Sequence, residues 1–199
     1  MRPSLILASS SLARATLLRN AGILFETYPP KIDEQLVKKS MVSEGLSARD
    51  MADQLAEMKA SKVASKFANS FILGSDQIIE FQGQIVSKPS DKKDLFLNLK
   101  AFQNKTHRLY TAAVIYFEAR PIFRHISKVD VSFRALTDET LATYIDKFWD
   151  SIQYCVGGYR IEAEGVQLIR KINGDYFSIM GLPLLEVLNF LSLRGDFLK

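Results

Sequence analysis

Cysteine is nearly absent from this chain of 199 residues. The lone Cys155 rules out an internal disulfide and any multi-cysteine zinc site, which fits a reducing cytoplasm. A free cysteine of this kind usually serves as a small buried hydrophobe rather than a nucleophile. Histidine is as scarce, and His107 and His125 show no metal-ligand spacing. His107 opens a strand-like run and reads as a hydrogen-bonded structural residue. No apolar run approaches the ~18–20 residues that a membrane span requires. The opening MRPSLILASSS carries only a short apolar stretch, and it reads as a first strand rather than a signal peptide. Neither GxxxxGK[ST] nor GxGxxG occurs, and no Ser-His-Asp order stands out. The net charge of +4 comes without a long basic run, so neither nucleic acid nor a membrane is an expected partner. With 47% hydrophobic and 24% charged residues the chain is ordinary globular material, and disorder is excluded. Repeats and Pro/Gly/Ser-rich linkers are missing too, so residues 1–199 read as one domain.

The periodicities place the elements. Residues 5–8 form a short buried strand, and Ser11 is a good N-cap for a helix over 12–20 that Gly22 stops. Residues 47–68 give the clearest helix, with Ala52, Leu55, Ala56, Ala60, Val63, Ala64 and Phe67 on one face. Residues 71–73 read as a buried strand that ends in Gly74-Ser75-Asp76, with Gly74 allowing a tight turn. Residues 78–81 and 84–87 flank Gln82-Gly83 as a hairpin. Strands follow over 109–117 and 128–136, then a helix over 138–149 with acidic residues in its first turn. Strand-like pieces cover 159–161 and 166–172, and an apolar helix follows Gly181-Leu182-Pro183. Helices and strands alternate with hairpins among them, which means an α/β fold with a mixed sheet. Trp149 and the phenylalanines read as core.

Three groups of residues could carry chemistry. Ser9, Ser11 and Arg14 form strand–SxSxxR–helix, and a helix N-terminus with free N–H groups favours an anion. Two hydroxyls add donors, and an arginine one turn in can fork onto phosphate oxygens. The plainer alternative is a cap, a turn and a solvated arginine. Lys59 falls inside the apolar stripe of its helix, where it must snorkel, find a partner or enter a polar cavity. An apolar chain of similar length would suit that face, so Lys59→Met is expected to keep stability. Lys66 approaches the same face near the helix end, where water is within reach. The third group is acidic. Asp33-Glu34 follows the loop TYPPKI, and Asp76 ends an apolar run with Gln77 beside it. A hard cation near a polyphosphate needs such carboxylates, although most Asp-Glu pairs are solvated turns. Lys88, held extended by Pro89, is either another phosphate contact or a surface lysine.

Taken together, the stretches LASSSLARATLL, IDE at 32–34, EMKASKV at 57–63, LGSDQII at 73–79, SKP at 87–89, KTHRLYTAAV at 105–114, GGYRIEAEG at 157–165 and GDYFSIMGLPL at 174–184 resemble the Maf family of nucleotide pyrophosphatases. Eight blocks in family order cover essentially the whole chain. The resemblance implies an elongated, twisted mixed sheet flanked by helices, in two lobes with a central cleft, an ITPase-like arrangement. It also implies hydrolysis of nucleoside triphosphates to monophosphate and pyrophosphate with Mg2+ or Mn2+, and often a homodimer. Carried over by position, Asp76 becomes the proton acceptor. Ser9, Ser11, Arg14, Lys59 and Lys88 become the phosphate-side residues, and Glu34 a metal-side carboxylate shared with Asp76. A nucleotide-binding regulator of cell division without turnover is the competing class. The retained carboxylates count against it, because binding a polyanion does not call for them.

Two departures bear on substrate choice. The familiar form of the first motif has Pro-Arg-Arg after its second serine, where this chain has Leu12-Ala13-Arg14. Ala13 thus occupies a position the family uses to tune specificity. Gln77 and Glu162 match the 7-methyl-GTP branch rather than the dTTP/UTP branch, while Ala13 lacks that branch's bulk. A carboxylate suits the paired donors of a guanine edge and repels the carbonyl acceptors of uracil or thymine. The expectation is a preference for guanine-type triphosphates, 7-methyl-GTP foremost.

Overall fold

The computed structural model describes residues 4–194. The chain runs β1 (Leu5–Leu7), α1 (Leu12–Asn20), β2 (Glu26–Thr27), α2 (Glu34–Ser43), α3 (Ala48–Ala64), β3 (Phe71–Phe81), β4 (Gln84–Val86) and α4 (Lys92–Phe102). It continues through β5 (Thr106–Phe117), β6 (Arg120–Phe133), α5 (Asp138–Ile152), a 3-10 turn (Glu164–Leu168), β7 (Ile169–Asn173), α6 (Tyr176–Ile179) and α7 (Leu184–Ser192). Among the described residues seven strands form one mixed sheet in the order β2-β1-β3-β5-β6-β7, with β4 also on β3. β1 is parallel to β2 and β3, and the other pairings are antiparallel.

α3 starts at Ser47, whose hydroxyl accepts from the Asp50 amide, and it ends at Ala64, short of the expected 68. Its alanines let it lie unusually close to the sheet. A Cβ on Gly74 would strike the Ala56 carbonyl oxygen and stand 2.7 Å from the Ala60 nitrogen. Gly74 is therefore a close-approach glycine inside a strand, not the turn expected there. β3 does not stop at Asp76 but continues without a break from Phe71 to Phe81.

Other expectations are corrected as well. Residues 159–161 lie outside the strands, and 166–172 divides into the 3-10 turn and β7. α2 and α4 are helices that the expectations from sequence do not include. Both carry the local caps of real helices, Asp33 accepting from the Leu36 amide and Asp91 from the Asp94 amide.

Side chains alternate across the sheet, and the apolar ones sort into three clusters. On one face α3 packs on Ile72, Ile78, Ala112 and Val114. On the other, α1 and α7 cover Leu73, Ala113 and Ile115 at one end. At the far end α4 and α5 cover Ile79, Leu109, Val129 and Val131. Between these last two clusters runs a polar band, Ser75, Gln77 and Thr111, so the long strands pass from one lobe into the other. His107 belongs to the far lobe. It is buried, its Nε2 lies 2.8 Å from the Tyr159 hydroxyl, and burial pushes its pKa down to about 3. It is neutral and structural, as expected.

Candidate active site

β3 has different partners along one of its edges. Leu73 pairs with Leu7 of β1, and the next pairing on that side is Ile79 with Val86 of β4. Residues 74–78 between them have no strand neighbour there among the described residues, which leaves a notch in the sheet. The chain leaving β1 carries Ser9 and Ser11 to one rim of the notch. The chain leaving β4 carries Lys88 to the other.

Asp76 sits at the middle of the notch, paired on its closed side with Ala112. The residue is 3% exposed, a costly position for a carboxylate without counter-charges. Lys59 supplies the nearest one, with Nζ 2.6 Å from Asp76 Oδ1 and 2.8 Å from Glu34 Oε1. The lysine inside the apolar stripe is thus accounted for by a partner and not by snorkelling. That geometry corrects the expectation for Lys59→Met, because the variant would strand a buried carboxylate. Burial by itself raises the Asp76 pKa, but Lys59, Lys38 and Arg14 together outweigh it and hold the group below its ordinary value. Asp76 Oδ2 is sealed from solvent and has no hydrogen-bond partner among the described residues, Lys38 Nζ lying 3.6 Å away.

Arg14 closes the β1 rim. Its Nε donates to the Gly181 carbonyl at 2.7 Å, its Nη1 donates to Ser9 Oγ at 3.3 Å, and its amide donates to Ser11 Oγ at 3.4 Å. Ser9 Oγ also accepts from the Ser11 amide at 3.1 Å. SxSxxR is therefore both a cap and a guanidinium mount. Burial lowers the Arg14 pKa against the pull of Asp76 and Glu34, and an arginine remains a cation under that pressure.

Several residues of this construction were not singled out from sequence. Ser75 Oγ donates to the same Gly181 carbonyl at 2.9 Å, so one backbone oxygen ties α1 and β3 to the segment before α7. Gly181 has φ +103°, a backbone that favours glycine, and the Arg14 side chain packs against it. Thr111 donates to the Ser178 carbonyl, and Asp175 caps α6 through the Phe177 and Ser178 amides. Lys38 stands one turn after Glu34 on α2. It lies on a helix that the expectations from sequence do not include.

The expected site residues fall into two sets. Ser9, Ser11, Arg14, Glu34, Lys59 and Asp76 come together. Gln77 points to the opposite face of the sheet from its neighbour Asp76. There its Nε2 donates to Thr111 Oγ1 at 3.1 Å and to the Ser178 and Ile179 carbonyls at 2.7 and 3.0 Å. Glu162 accepts from Arg160 Nε at 3.1 Å. Lys88 is exposed and has no hydrogen bond or ion pair among the described residues. It belongs to the far lobe, close enough to act on Cys155 together with Glu162 and Arg160. Burial is the largest influence there and raises the Cys155 pKa, so the thiol is no activated nucleophile. Ala13 is half-buried in the first turn of α1.

Both carboxylates that could hold a cation, Glu34 and Asp76, converge on the Lys59 ammonium. No group of three or more His, Cys, Asp or Glu side chains arranged to hold a metal occurs among the described residues. No described helix is long and apolar enough to cross a membrane.

The sequence that builds this notch is similar to known sequences along its length. The profile of the family described as "Maf-like protein" matches residues 4–193. A relative from Ruegeria pomeroyi, named nucleoside triphosphate pyrophosphatase, is 46% identical over 98% of each chain. One of the same name from Caulobacter vibrioides is 40% identical over 95% of this chain and 94% of its own. A protein from Rhizobium etli named 7-methyl-GTP pyrophosphatase is 38% identical over 98% of each. With the match running from the first strand to the last helix, the chain belongs to the Maf-like protein family.

Proposed function

We propose that this chain hydrolyses nucleoside triphosphates to the monophosphate and pyrophosphate at the β3 notch. The observation that carries the reading is Asp76: a carboxylate that is buried, ionised and surrounded by Lys59, Lys38 and Arg14, with one oxygen uncommitted. A water oxygen attacks the α-phosphorus and gives its proton to Asp76. The bridging P–O bond breaks, and its electron pair departs with the pyrophosphate. Arg14, Lys59 and Lys88 offset the charge that builds on that leaving group. Proton acceptance becomes easier as this happens. Burial acts to raise the Asp76 pKa and the cations to lower it, so a polyphosphate that draws the cations away strengthens the base.

Glu34 and Asp76 together fit a divalent cation that takes one or two carboxylates and completes its shell with substrate phosphate and water, as magnesium does. The uncommitted Asp76 Oδ2 is a suitable donor. When bound there, such a cation would neutralise phosphate charge and ease deprotonation of water.

The base-reading side favours guanine. Three acceptors surround Gln77 Nε2, which fixes the amide orientation and leaves only the carbonyl oxygen for a ligand. That oxygen and the Glu162 carboxylate are both acceptors, the kind of group that the N1–H and amino donors of guanine require. Arg160 offsets part of the Glu162 charge, so the repulsion of uracil and thymine carbonyls is smaller than a bare carboxylate would give.

The test is pyrophosphate release from a panel of nucleoside triphosphates, including 7-methyl-GTP, with and without Mg2+ or Mn2+. No release from any of them by folded protein would overturn the hydrolase reading. A preference for UTP or dTTP would overturn the guanine assignment alone.

A further inference from the structure

Lys38 and Lys59 both face Asp76, but they are held very differently. Lys59 is 4% exposed and makes two short contacts with carboxylates. Lys38 is 26% exposed, and its ammonium stops 3.6 Å from Asp76 Oδ2 without forming a hydrogen bond. It is attracted to the buried oxygen without being locked to it. Glu34 and Lys38 lie one turn apart on α2, so this helix brings one negative and one positive group to the same side of the notch. With Arg14, the notch then gathers three cations against two carboxylates, Glu34 and Asp76. That is an excess of positive charge before any ligand arrives.

We propose that Lys38 is a further pyrophosphate-binding residue of this site. Its ammonium leaves Asp76 Oδ2 and donates to oxygens of the terminal phosphates when a triphosphate enters. The inference rests on the hydrolase reading for the identity of the substrate, and it adds a ligand on α2. The loose contact costs little to give up, whereas a charge-assisted hydrogen bond to phosphate is strong.

The experiment measures binding of inorganic pyrophosphate by calorimetry, in chelator-treated buffer, to wild type, Lys38→Met and Lys38→Arg. A nucleoside monophosphate is titrated in parallel. Loss of one charged hydrogen bond predicts pyrophosphate binding weakened about 10- to 100-fold in Lys38→Met. Lys38→Arg should recover most of it, and monophosphate affinity should stay within about threefold of wild type in both. Lys38→Gln replaces the methionine variant if that one fails to fold. Unchanged pyrophosphate affinity in Lys38→Met overturns the proposal, even if turnover falls, because Lys38 would then act only through Asp76. Equal losses for pyrophosphate and monophosphate overturn it too. A wild-type protein that binds pyrophosphate through Lys38 but turns over no triphosphate would sink the hydrolase reading while leaving Lys38 assigned.

Discussion

Replacing Lys59 with methionine separates the two things a buried lysine can do, because the stem stays and only the ammonium goes. Lys59 is already buried on the face of α3 that also buries Leu55, Ala56, Ala60 and Val63, so methionine adds little apolar burial. What disappears is the counter-charge 2.6 Å from a carboxylate whose side chain is 4% exposed. Breaking a buried pair from one side costs about 3–5 kcal/mol. Glu34, whose side chain is 40% exposed, can rehydrate and adds at most about 1 kcal/mol. Lys38 stands close enough to recover part of the loss. A net destabilisation of roughly 2–4 kcal/mol follows, or a fall of about 1–2 M in the urea midpoint. Asp76→Asn in the same chain should restore much of the loss, since asparagine leaves no stranded charge. The pH dependence gives a second check. In wild type the Asp76 pKa is lowered, so its contribution is present above the unfolded value near 3.9 and vanishes as pH falls through the folded one. Without Lys59 only Lys38 and Arg14 oppose the effect of burial, so that lowering weakens. The deficit of Lys59→Met should therefore be greatest near neutral pH and shrink toward acid. A Lys59→Met protein with a wild-type midpoint at pH 7 would refute this account of the pair.

The remaining predictions test the chemistry, the scaffold and the base. Asp76→Asn should lower turnover by roughly 10²–10⁴-fold with nucleotide binding largely kept, and near wild-type pyrophosphate release in folded protein would exclude Asp76 as the base. Gly74→Ala places a methyl against main chain of α3; it should cost about 1–3 kcal/mol or more and reduce kcat by shifting Lys59 against Asp76, and a wild-type melting temperature would count against the close approach. Glu162→Gln should narrow the kcat/KM gap between 7-methyl-GTP and UTP by about tenfold, and Arg160→Met, which bares the carboxylate, should widen it. Equal effects of both variants in the same direction would remove the charge from the explanation.

Much of this fold and site is legible in the sequence where one physical signal dominates. The lysine in the α3 stripe stands out among alanines and leaves three choices, snorkelling, a partner or a polar cavity, and the carboxylates of Asp76 and Glu34 decide among them. SxSxxR announced a helix start with a guanidinium over it. The misreadings arise where one residue type serves two purposes. Gly74 fits a turn or a close approach, and only the position of α3 decides between them. α2 buries Met41 alone among its ten residues, so its stripe is too faint to separate from loop, and Lys38 was lost with it. α4 shows Leu95, Leu99 and Phe102 on one face behind an Asp91 cap, a pattern that periodicity does contain. The partners of Ser75 and Thr111 are backbone carbonyls of residues 178 and 181, and side-chain pattern carries no information about those.

The position of Asp76 mid-strand, rather than at a strand end, has a consequence for how cleavage and recognition are joined. Successive residues on a strand point to opposite faces, so Asp76 faces α3 and Lys59 while Gln77 faces α6 and Thr111. In an unbroken sheet these two side chains could never meet one ligand. Here β1 ends at Leu7 and β4 does not resume the pairing until Val86 meets Ile79, and in the proposed reading a nucleotide would lie across this edge of β3 with its phosphates on one face and its base on the other. Arg14 and Ser75 both donate to the Gly181 carbonyl, so one backbone oxygen positions the guanidinium and the strand that carries Asp76 and Gln77. A change in the loop at 180–182 should therefore disturb phosphate handling and base choice together, whereas substitutions at Glu162 or Arg160 act on the base alone.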